Sequence, residues 1–245
     1  MEEQNKPRFR SNANYSLYRG RELPYTWEEM QRKIQTNDMD DIQIGDYKVL
    51  VLTDGEELYM EVAGINTYTG YGDFPIGTHI DFISRDCLKK TYAYNLKPTN
   101  SGGYICSHLN MVLQTEILPK IPDNLRKLLA SKRALIECKL GKKAEGWSWN
   151  DLGKLWLPTE IEIWGCGIFC EKPWGCGLPV QYPIFRASTL HIVKRLGVGG
   201  DRYNWWTGSA AENSINNFCH AGRFGLPNQN PALKKFGIPV CFRIM

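Results

Sequence analysis

The sequence predicts an α+β fold, and three observations lead to that class. A capped amphipathic segment comes first, a group of strand-like segments follows, and two more amphipathic segments come next. Strand and helix patterns therefore do not alternate one by one, as they would around a parallel sheet. Near the end, Trp205 and Trp206 and a closing apolar strand at 237–244 frame about thirty residues rich in Asn, Gly and Ser. We expect a rigid scaffold that displays an irregular polar loop, which favours a binding module over an enzyme.

Bulk composition sets the class of protein. The chain has 245 residues, of which 42 % are hydrophobic and 23 % are charged, which fits one large domain or one domain with an extension. Its formal net charge is +4 and no dense Lys/Arg run is present, so nucleic acid is not an expected partner. The sequence shows no pattern of a signal peptide or of a membrane span, so we expect a protein that folds in a cytoplasm.

Residues 1–25 are predicted to be a docking arm, separate from a domain at 26–245. The segment is polar and basic and has neither a helical nor a strand period. A patternless arm that bears tyrosines favours docking onto a partner, and a disordered tail is the alternative. The docking residues expected in it are Arg8, Arg10, Tyr15, Tyr18 and Arg19.

The first helix is predicted to begin directly after Thr26. Thr26 and Glu29 have the spacing of a capping box, in which each side chain accepts a bond from the other residue's backbone N–H. Trp27, Met30 and Ile34 then share one face of the helix. We expect that face to be buried.

A hairpin and a further strand are predicted to follow this helix. Apolar runs at 47–52 and 57–65 flank a Thr-Asp-Gly-Glu turn, which is the pattern of a β-hairpin. The run at 79–84 is predicted to be the further strand.

The middle of the chain predicts two helices, a strand and then irregular structure. An amphipathic helix is expected at 107–118, and prolines break it. Asp123 is expected to cap a second helix at 124–130. A strand is predicted at 133–140, and the segment 146–183, rich in Trp, Gly and Cys, is predicted to be largely irregular. Long irregular segments inside a domain are usually functional.

Two carboxylates in this segment resemble a hydrolytic pair. Glu160 and Glu162 alternate on an apparent strand at 157–164 and would share one face. Two acids can serve glycosidic hydrolysis. The rest of a catalytic cleft is missing from the pattern, so we expect a solvated strand face.

The eight cysteines are expected to be free thiols of a reducing compartment. Cys166, Cys170 and Cys176 have looser spacing than the paired C-x2-C of structural zinc, so inward packing is expected, with a shared metal as the alternative. Cys219 and His220 are neighbours on a strand pattern and would face opposite sides, which does not favour a nucleophile–base pair. No catalytic residue and no metal site are predicted.

Two sets of side chains are candidates for ligand binding. Aromatic rings in the irregular segment can stack on sugars or fill protein interfaces, with core packing as the alternative. Polar side chains in the Asn-rich run suit adaptable hydrogen bonding, with plain turn chemistry as the alternative. The candidates are Trp147, Trp149, Trp174, Tyr182, Asn216, Asn217, Arg223 and Asn228. Of the adjacent Trp205 and Trp206, one is expected to point into the core and one out, because strand residues alternate.

A family resemblance covers residues 45–244 and rests on blocks in a shared order. The blocks are Gly45-Asp46, Asp81-Phe82-Ile83-Ser84-Arg85-Asp86, Asn100-Ser101-Gly102-Gly103-Tyr104, Leu155-Trp156-Leu157-Pro158-Thr159-Glu160, Tyr182-Pro183-Ile184-Phe185, Trp205-Trp206-Thr207-Gly208-Ser209 and Gly237-Ile238-Pro239-Val240-Cys241-Phe242-Arg243-Ile244. In them the chain resembles the phage and prophage family numbered 6273 among the domains of unknown function. Thr207-Gly208 stands where that family has Leu-Arg, and Ile238-Pro239-Val240 replaces its Val-Arg-Pro run, so no role of those arginines is carried over.

The resemblance implies a C-type-lectin-like domain and a virion setting. The implied function is a non-enzymatic structural or display protein, expected to decorate the capsid or act as a head-surface adhesion module anchored by its arm. Other virion proteins are the expected partners, a host-surface or mucosal glycan and a second copy of the chain are further ones, and no cofactor is expected. One alternative is a tail-associated receptor- or glycan-binding protein. Another is an oxidase of the formylglycine-generating type, in which Cys219 and Cys241 would cooperate.

Overall fold

A computed structural model describes residues 20–140, 143–171 and 180–245 of the chain. The predicted docking residues Arg8, Arg10, Tyr15, Tyr18 and Arg19 lie outside these ranges. Trp174 and Cys176 lie outside them as well. Within the described ranges, no helix has the length and apolar character needed to cross a bilayer.

The predicted α+β class is confirmed, with many short strands and few helices. The α-helices are α1 Trp27–Gln35, α2 His108–Val112, α3 Asp123–Arg126, α4 Glu160–Trp164 and α5 Pro183–Ala187. The strands are β1 Tyr47–Val51, β2 Glu57–Ile65, β3 Ile80–Ser84, β4 Tyr92–Ala93, β5 Leu129–Ala130, β6 Arg133–Leu140, β7 Lys143–Asp151, β8 Lys194–Arg195, β9 Arg202–Tyr203, β10 Trp205–Ala210, β11 Asn217–Ala221, β12 Pro227–Pro231, β13 Lys235–Phe236 and β14 Cys241–Ile244. A π-helical turn at Leu113–Ile117 and a 3-10 turn at Leu118–Lys120 extend α2, and Thr189–His191 forms another 3-10 turn.

The central sheet is antiparallel and has the strand order β1-β2-β3-β14-β5. The last strand of the chain therefore lies inside the sheet, where Phe242 is directly opposite Phe82. Trp27 from α1 packs edge-on against both rings, with centroid distances of 5.6 and 5.7 Å. The predicted capping box of Thr26 and Glu29 is present. The helix thus covers one face of the sheet with the apolar stripe that the sequence predicts.

The helix predicted at 124–130 is shorter than its amphipathic pattern predicts. Helix α3 ends at Arg126, and Leu129 and Ala130 leave it to pair with Ile244 and Arg243 of β14. The N-cap position is Pro122, not Asp123, and it makes no side-chain cap bond. The backbone groups of Leu129 and Ala130 find hydrogen-bond partners in β14, and this pairing replaces the last turn of the predicted helix.

The Asn-rich run after Trp205 is regular, which corrects the expected irregular loop. Strands β10, β11 and β12 form an antiparallel three-stranded meander over this run. Trp205 and Trp206 are both fully buried, so the expectation that one points outward is also wrong. The Trp205 indole N–H donates to the Ile192 carbonyl at 2.8 Å, and that of Trp206 donates to the Tyr92 carbonyl at 2.9 Å. Strand β10 is covered on both faces, so alternation does not expose either ring.

The segment predicted to be irregular begins with regular structure. Strands β6 and β7 form a long hairpin that includes Trp147 and Trp149. The prediction of a strand at 157–164 is also wrong, because Glu160–Trp164 form helix α4. Thr159 and Glu162 close a second capping box, which the sequence reasoning overlooked.

Candidate binding site

A buried network of charges ties the central sheet to α4 and α5. Arg243 donates to both carboxylate oxygens of Asp81, and the Tyr182 hydroxyl donates to Asp81 Oδ2 at 3.0 Å. Lys132 lies 3.1 Å from that hydroxyl and also forms an ion pair with Glu162. Two cations thus balance two carboxylates inside the protein, so each of the four charges has a partner of opposite sign within the fold.

The protonation states of this network follow from burial and charge. Burial raises the pKa of the Tyr182 hydroxyl well above its usual value, helped by the nearby carboxylates, so Tyr182 stays a neutral donor. Burial by itself would raise the pKa of Asp81, but the charge and hydrogen bonds of Arg243 outweigh it and the pKa is lowered. Asp81 is therefore an ionised acceptor at neutral pH.

A small aromatic cleft opens above the Glu162 end of the network. Tyr71, Trp149 and Val180 line it, and Glu162 contributes to its floor. Its volume is about 40 Å³. A cavity of about 10–15 Å³ on this measure already holds one water molecule, so the cleft has room for a few water molecules.

The predicted aromatic candidates are therefore not one surface. Tyr182 is only 2 % exposed and belongs to the charge network, so its prediction as a ligand-binding side chain is corrected. Trp149 lines the small cleft and Trp147 is half-buried on the same strand. Tyr182 lies at the N-terminus of α5, where Ile184 and Phe185 pull the segment into the core. Sequence periodicity could not show this because the surrounding segment is short and irregular.

The predicted amide candidates lie on or directly beside the three-stranded sheet, and each uses one side-chain polar atom in a hydrogen bond within the protein. Asn217 donates to Gln229 across β11 and β12 at 3.2 Å. Asn216 accepts from the Ser214 hydroxyl at 2.9 Å, and Asn228 accepts from the backbone N–H of Gln229 at 2.8 Å. These bonds stabilise turns and edges, which is the alternative the sequence left open.

Asn100 is the residue that organises this region, and the sequence reasoning did not single it out. It is fully buried, and its side-chain amide donates to the carbonyls of Ala211, Ser214 and Asn217. Its backbone N–H donates to Ile215 at 2.9 Å. A single side chain thus fixes the β10–β11 connection, over a separation of more than a hundred residues that no local pattern reports.

The β11–β12 hairpin presents apolar and basic groups to solvent at its tip, which we define as Arg223, Phe224 and Leu226. Phe224 and Leu226 are 62 % and 69 % exposed. The Arg223 guanidinium lies 4.8 Å from the Phe224 ring, and its backbone N–H donates to Asn204 at 2.8 Å. Gly225 has φ +82° and packs so closely on the segment before β8 that a Cβ there would lie 3.3 Å from Val193. The tip is therefore exposed but anchored.

The cysteines that would serve catalysis are buried and separated. Cys219 packs with Cys170 and Ala211 under β11, whereas Cys241 lies on β14 in the other sheet. Burial raises the pKa of the Cys219 thiol well above its usual value and also raises that of Cys241. Neither thiol is available as a thiolate at neutral pH.

The remaining chemical candidates have structural partners. His220 contacts the rings of Trp206 and Phe236 on the face opposite Cys219, as predicted for neighbours on a strand. Of the two cysteines of this set that the structure describes, Cys170 is buried as expected, whereas Cys166 is exposed, so the expected inward packing is wrong for Cys166. In the described part of the chain, no three His, Cys, Asp or Glu side chains are grouped to hold a metal ion.

Glu160 is held by backbone groups and is not on a solvated face, which corrects the expectation for this carboxylate. Its Oε2 accepts N–H bonds from Ile168, Phe169 and Cys170 at 3.0, 2.9 and 2.8 Å. Glu162 is 4 % exposed and bonds Lys132. The two acids face different partners and do not form a hydrolytic pair.

Comparison with protein-family models, with curated proteins and with solved structures finds no match to this chain.

Proposed function

We propose that this chain is a non-enzymatic virion display protein of a phage or prophage. In this proposal a C-type-lectin-like domain at 26–245 decorates the particle, and residues 1–25 dock it onto a capsid neighbour. The surface that it presents is the tip formed by Arg223, Phe224 and Leu226. The observation that carries the proposal is the exposure of Phe224 and Leu226, 62 % and 69 %, on a hairpin whose base is anchored.

An anchored apolar tip is suited to binding because little order is lost when a partner covers it. Exposed aromatic and Arg side chains are the groups that most often dominate protein interfaces. The hydrogen bonds of Asn204 and the close packing of Gly225 hold the tip in one geometry before any contact is made. Preorganisation of this kind reduces the entropic cost of association.

The virion setting is tested by particle association. The full chain and a chain of residues 26–245 are expressed in cells that produce the particles of the encoding phage, and the particles are purified. We expect the full chain on the particles and the shortened chain in the unbound fraction. Retention of the shortened chain at the same level contradicts docking through the arm.

The display role of the tip is tested separately. Phe224→Ala and Leu226→Ala should remain on the particle but lose adsorption to host cells or to a mucin-coated surface. The matched control is Val198→Ala, an exposed apolar residue on the β8–β9 turn. Equal adsorption by all three variants contradicts display through this tip.

A glycan-binding role is the second candidate, and the pairing of Arg223 with Phe224 favours it. A glycan needs an exposed ring to stack on and a donor beside it, and the two side chains lie 4.8 Å apart. A glycan array probed with the wild type and Phe224→Ala distinguishes this role, which the tail-associated alternative shares, from protein adhesion. Loss of a specific glycan signal in the variant supports it.

The oxidase alternative makes a contrasting prediction. It needs Cys219 and Cys241 to cooperate, but the two thiols lie on different sheets. Cys219→Ala should leave particle association and adsorption unchanged if the protein is a display module. Oxygen consumption by the wild type with thiol peptides, abolished in Cys219→Ala, would establish the oxidase instead.

A further inference from the structure

A second surface, remote from the tip in the chain, has the features of a docking groove. It lies between the loop that follows β4 and the start of α2, and its volume is about 470 Å³. Leu96, Ile105 and Met111 provide its apolar walls. Leu96 and Met111 are 71 % and 52 % exposed. The volume is within the range of sites that bind ligands or peptide side chains.

Two further exposed apolar side chains lie on segments that are hydrogen-bonded to the groove's loop, one before β11 and one after β12. The backbone N–H of Asn95 donates to the Ala232 carbonyl at 3.2 Å, which places Leu96 close to Leu233. The N–H of Asn100 donates to Ile215, which brings a third exposed apolar side chain to the same end of the fold. Leu233 and Ile215 are 49 % and 53 % exposed. Several exposed apolar side chains at one end of a fold favour an interaction site there.

The rim of this surface is basic. Lys97 lines the groove, and Lys234 and Lys235 follow Leu233 directly in the chain. All three side chains are exposed. Positive charge around an apolar centre favours a partner that carries carboxylates beside its apolar side chains.

We propose that the groove docks an acidic, leucine-bearing segment of a partner protein. An apolar side chain of the segment enters between Leu96 and Met111, and flanking carboxylates meet Lys97 and Lys234. A protein segment is favoured over a lipid surface because the apolar side chains line a recess between two segments of the chain, whereas a bilayer needs a protruding apolar face. The inference does not depend on the virion setting.

A random-peptide display library panned on the full chain tests the groove. We expect enriched peptides with leucine-like residues next to Asp or Glu. Their affinity for Met111→Glu should be at least about tenfold lower, as expected when one apolar anchor is replaced by a charge of the partner's own sign. Lys97→Glu should weaken binding and flatten its salt dependence.

Matched controls separate groove binding from general stickiness. Val198→Glu places the same charge on the β8–β9 turn, at an exposed apolar residue outside both surfaces, and should leave peptide binding unchanged. Met111 and Lys97 are exposed, so their replacement should not unfold the protein. Thermal unfolding of each variant, followed by circular dichroism, checks that the fold is intact. Failure to enrich acidic apolar peptides, or equal binding by Met111→Glu, overturns the proposal. Binding to phosphatidylglycerol vesicles without peptide enrichment overturns it in favour of a membrane contact.

Discussion

Arg243 Nε and Nη2 donate to the two carboxylate oxygens of Asp81 at 2.6 and 2.8 Å, from directly opposite positions of β14 and β3. Both side chains are only 1 % exposed. Such a pair is costly to desolvate, and bidentate geometry is what makes it tolerable. The last strand of the chain is thereby connected to Tyr182 and, through Lys132, to Glu162 of α4.

Asp81→Asn tests this connection. It should lower the free energy of unfolding by about 3–5 kcal/mol, because Arg243 would remain buried without a counter-charge. Urea unfolding measures the change. Asp54→Asn breaks the exposed Lys120–Asp54 pair and serves as the control, for which a loss below about 1 kcal/mol is expected. A similar, small loss in both variants would show that the buried pair contributes little.

Glu137 should make stability depend on pH. Burial raises the pKa of Glu137 to about 7, against the bond that its Oε1 accepts from the Ala210 N–H. The folded protein thus keeps a proton that the unfolded chain releases near its ordinary pKa of 4.5. This carboxyl therefore favours folding most at low pH, and its contribution falls as pH rises to about 7 and is then constant.

The magnitude follows from the size of the shift. A pKa that is raised by about two to three units corresponds to about 3 kcal/mol of free energy. We expect the unfolding free energy of the wild type, relative to that of Glu137→Gln, to fall by about this amount between pH 4.5 and pH 8. Chemical unfolding over that range measures it, with the exposed Glu57→Gln as the control. A difference independent of pH would contradict the raised pKa.

Trp205 and Trp206 should both be essential to stability. Each is fully buried and each indole N–H has a carbonyl partner. Replacement of either by Ala should cost about 3–5 kcal/mol, and replacement by Phe less, with loss of the one hydrogen bond. Thermal unfolding compares the four variants. If one Trp→Ala variant melted like the wild type, that ring would be at the surface, as strand alternation had suggested.

The outer edge of β12 lacks backbone donors. The bonds from Gly222 N to Leu226 O and from Ala232 N to Asn216 O fix the register, so Asn228 and Asn230 face β11 with their backbone groups. Residues 227, 229 and 231 face outward. Two of them are prolines, and the N–H of Gln229 is taken by the Asn228 side chain. An incoming strand finds acceptors there but no free donor.

Restoring the donors should make the protein self-associate. Pro227→Thr combined with Pro231→Thr and Asn228→Ala gives the edge three free N–H groups, and we expect dimers or larger species that increase with concentration. Light scattering after size-exclusion chromatography detects them. Pro98→Thr changes an exposed proline elsewhere and should stay at the wild-type mass. A triple variant that also stays at that mass would show that other features protect the edge.

Local sequence patterns were sufficient to predict an element where its signal lies within one short segment. The capping box at Thr26, the burial of Met30 and the first hairpin needed only spacing and turn residues, and the structure confirms all three. The second capping box, at Thr159, used the same signal, but a strand pattern was preferred over it. Glu160 and Glu162 were misplaced for that reason.

The candidate surfaces were only partly predictable. The polar composition of the Asn-rich run predicted Arg223 as a candidate, and the structure places it in the exposed tip. Phe224 and Leu226 were not selected, because an apolar residue in a loop is usually folded inward and its exposure depends on what packs beneath it. Tyr182 shows the reverse error, since its partner Asp81 lies 101 residues away. Exposure is a property of the assembled fold and is not encoded by neighbours in sequence.

The sequence by itself determined the α+β class, the first helix and hairpin and the closing apolar strand, because helix caps, turns and hydrophobic periods act over a few residues. Only the tertiary structure decided that both tryptophans are buried, that the Asn-rich run is a sheet, and that four charges meet around Asp81. Those outcomes depend on desolvation and on hydrogen bonds between residues far apart in the chain, such as Asn100 with Ser214 and Arg243 with Asp81. A buried polar group must find its partner wherever the fold brings one.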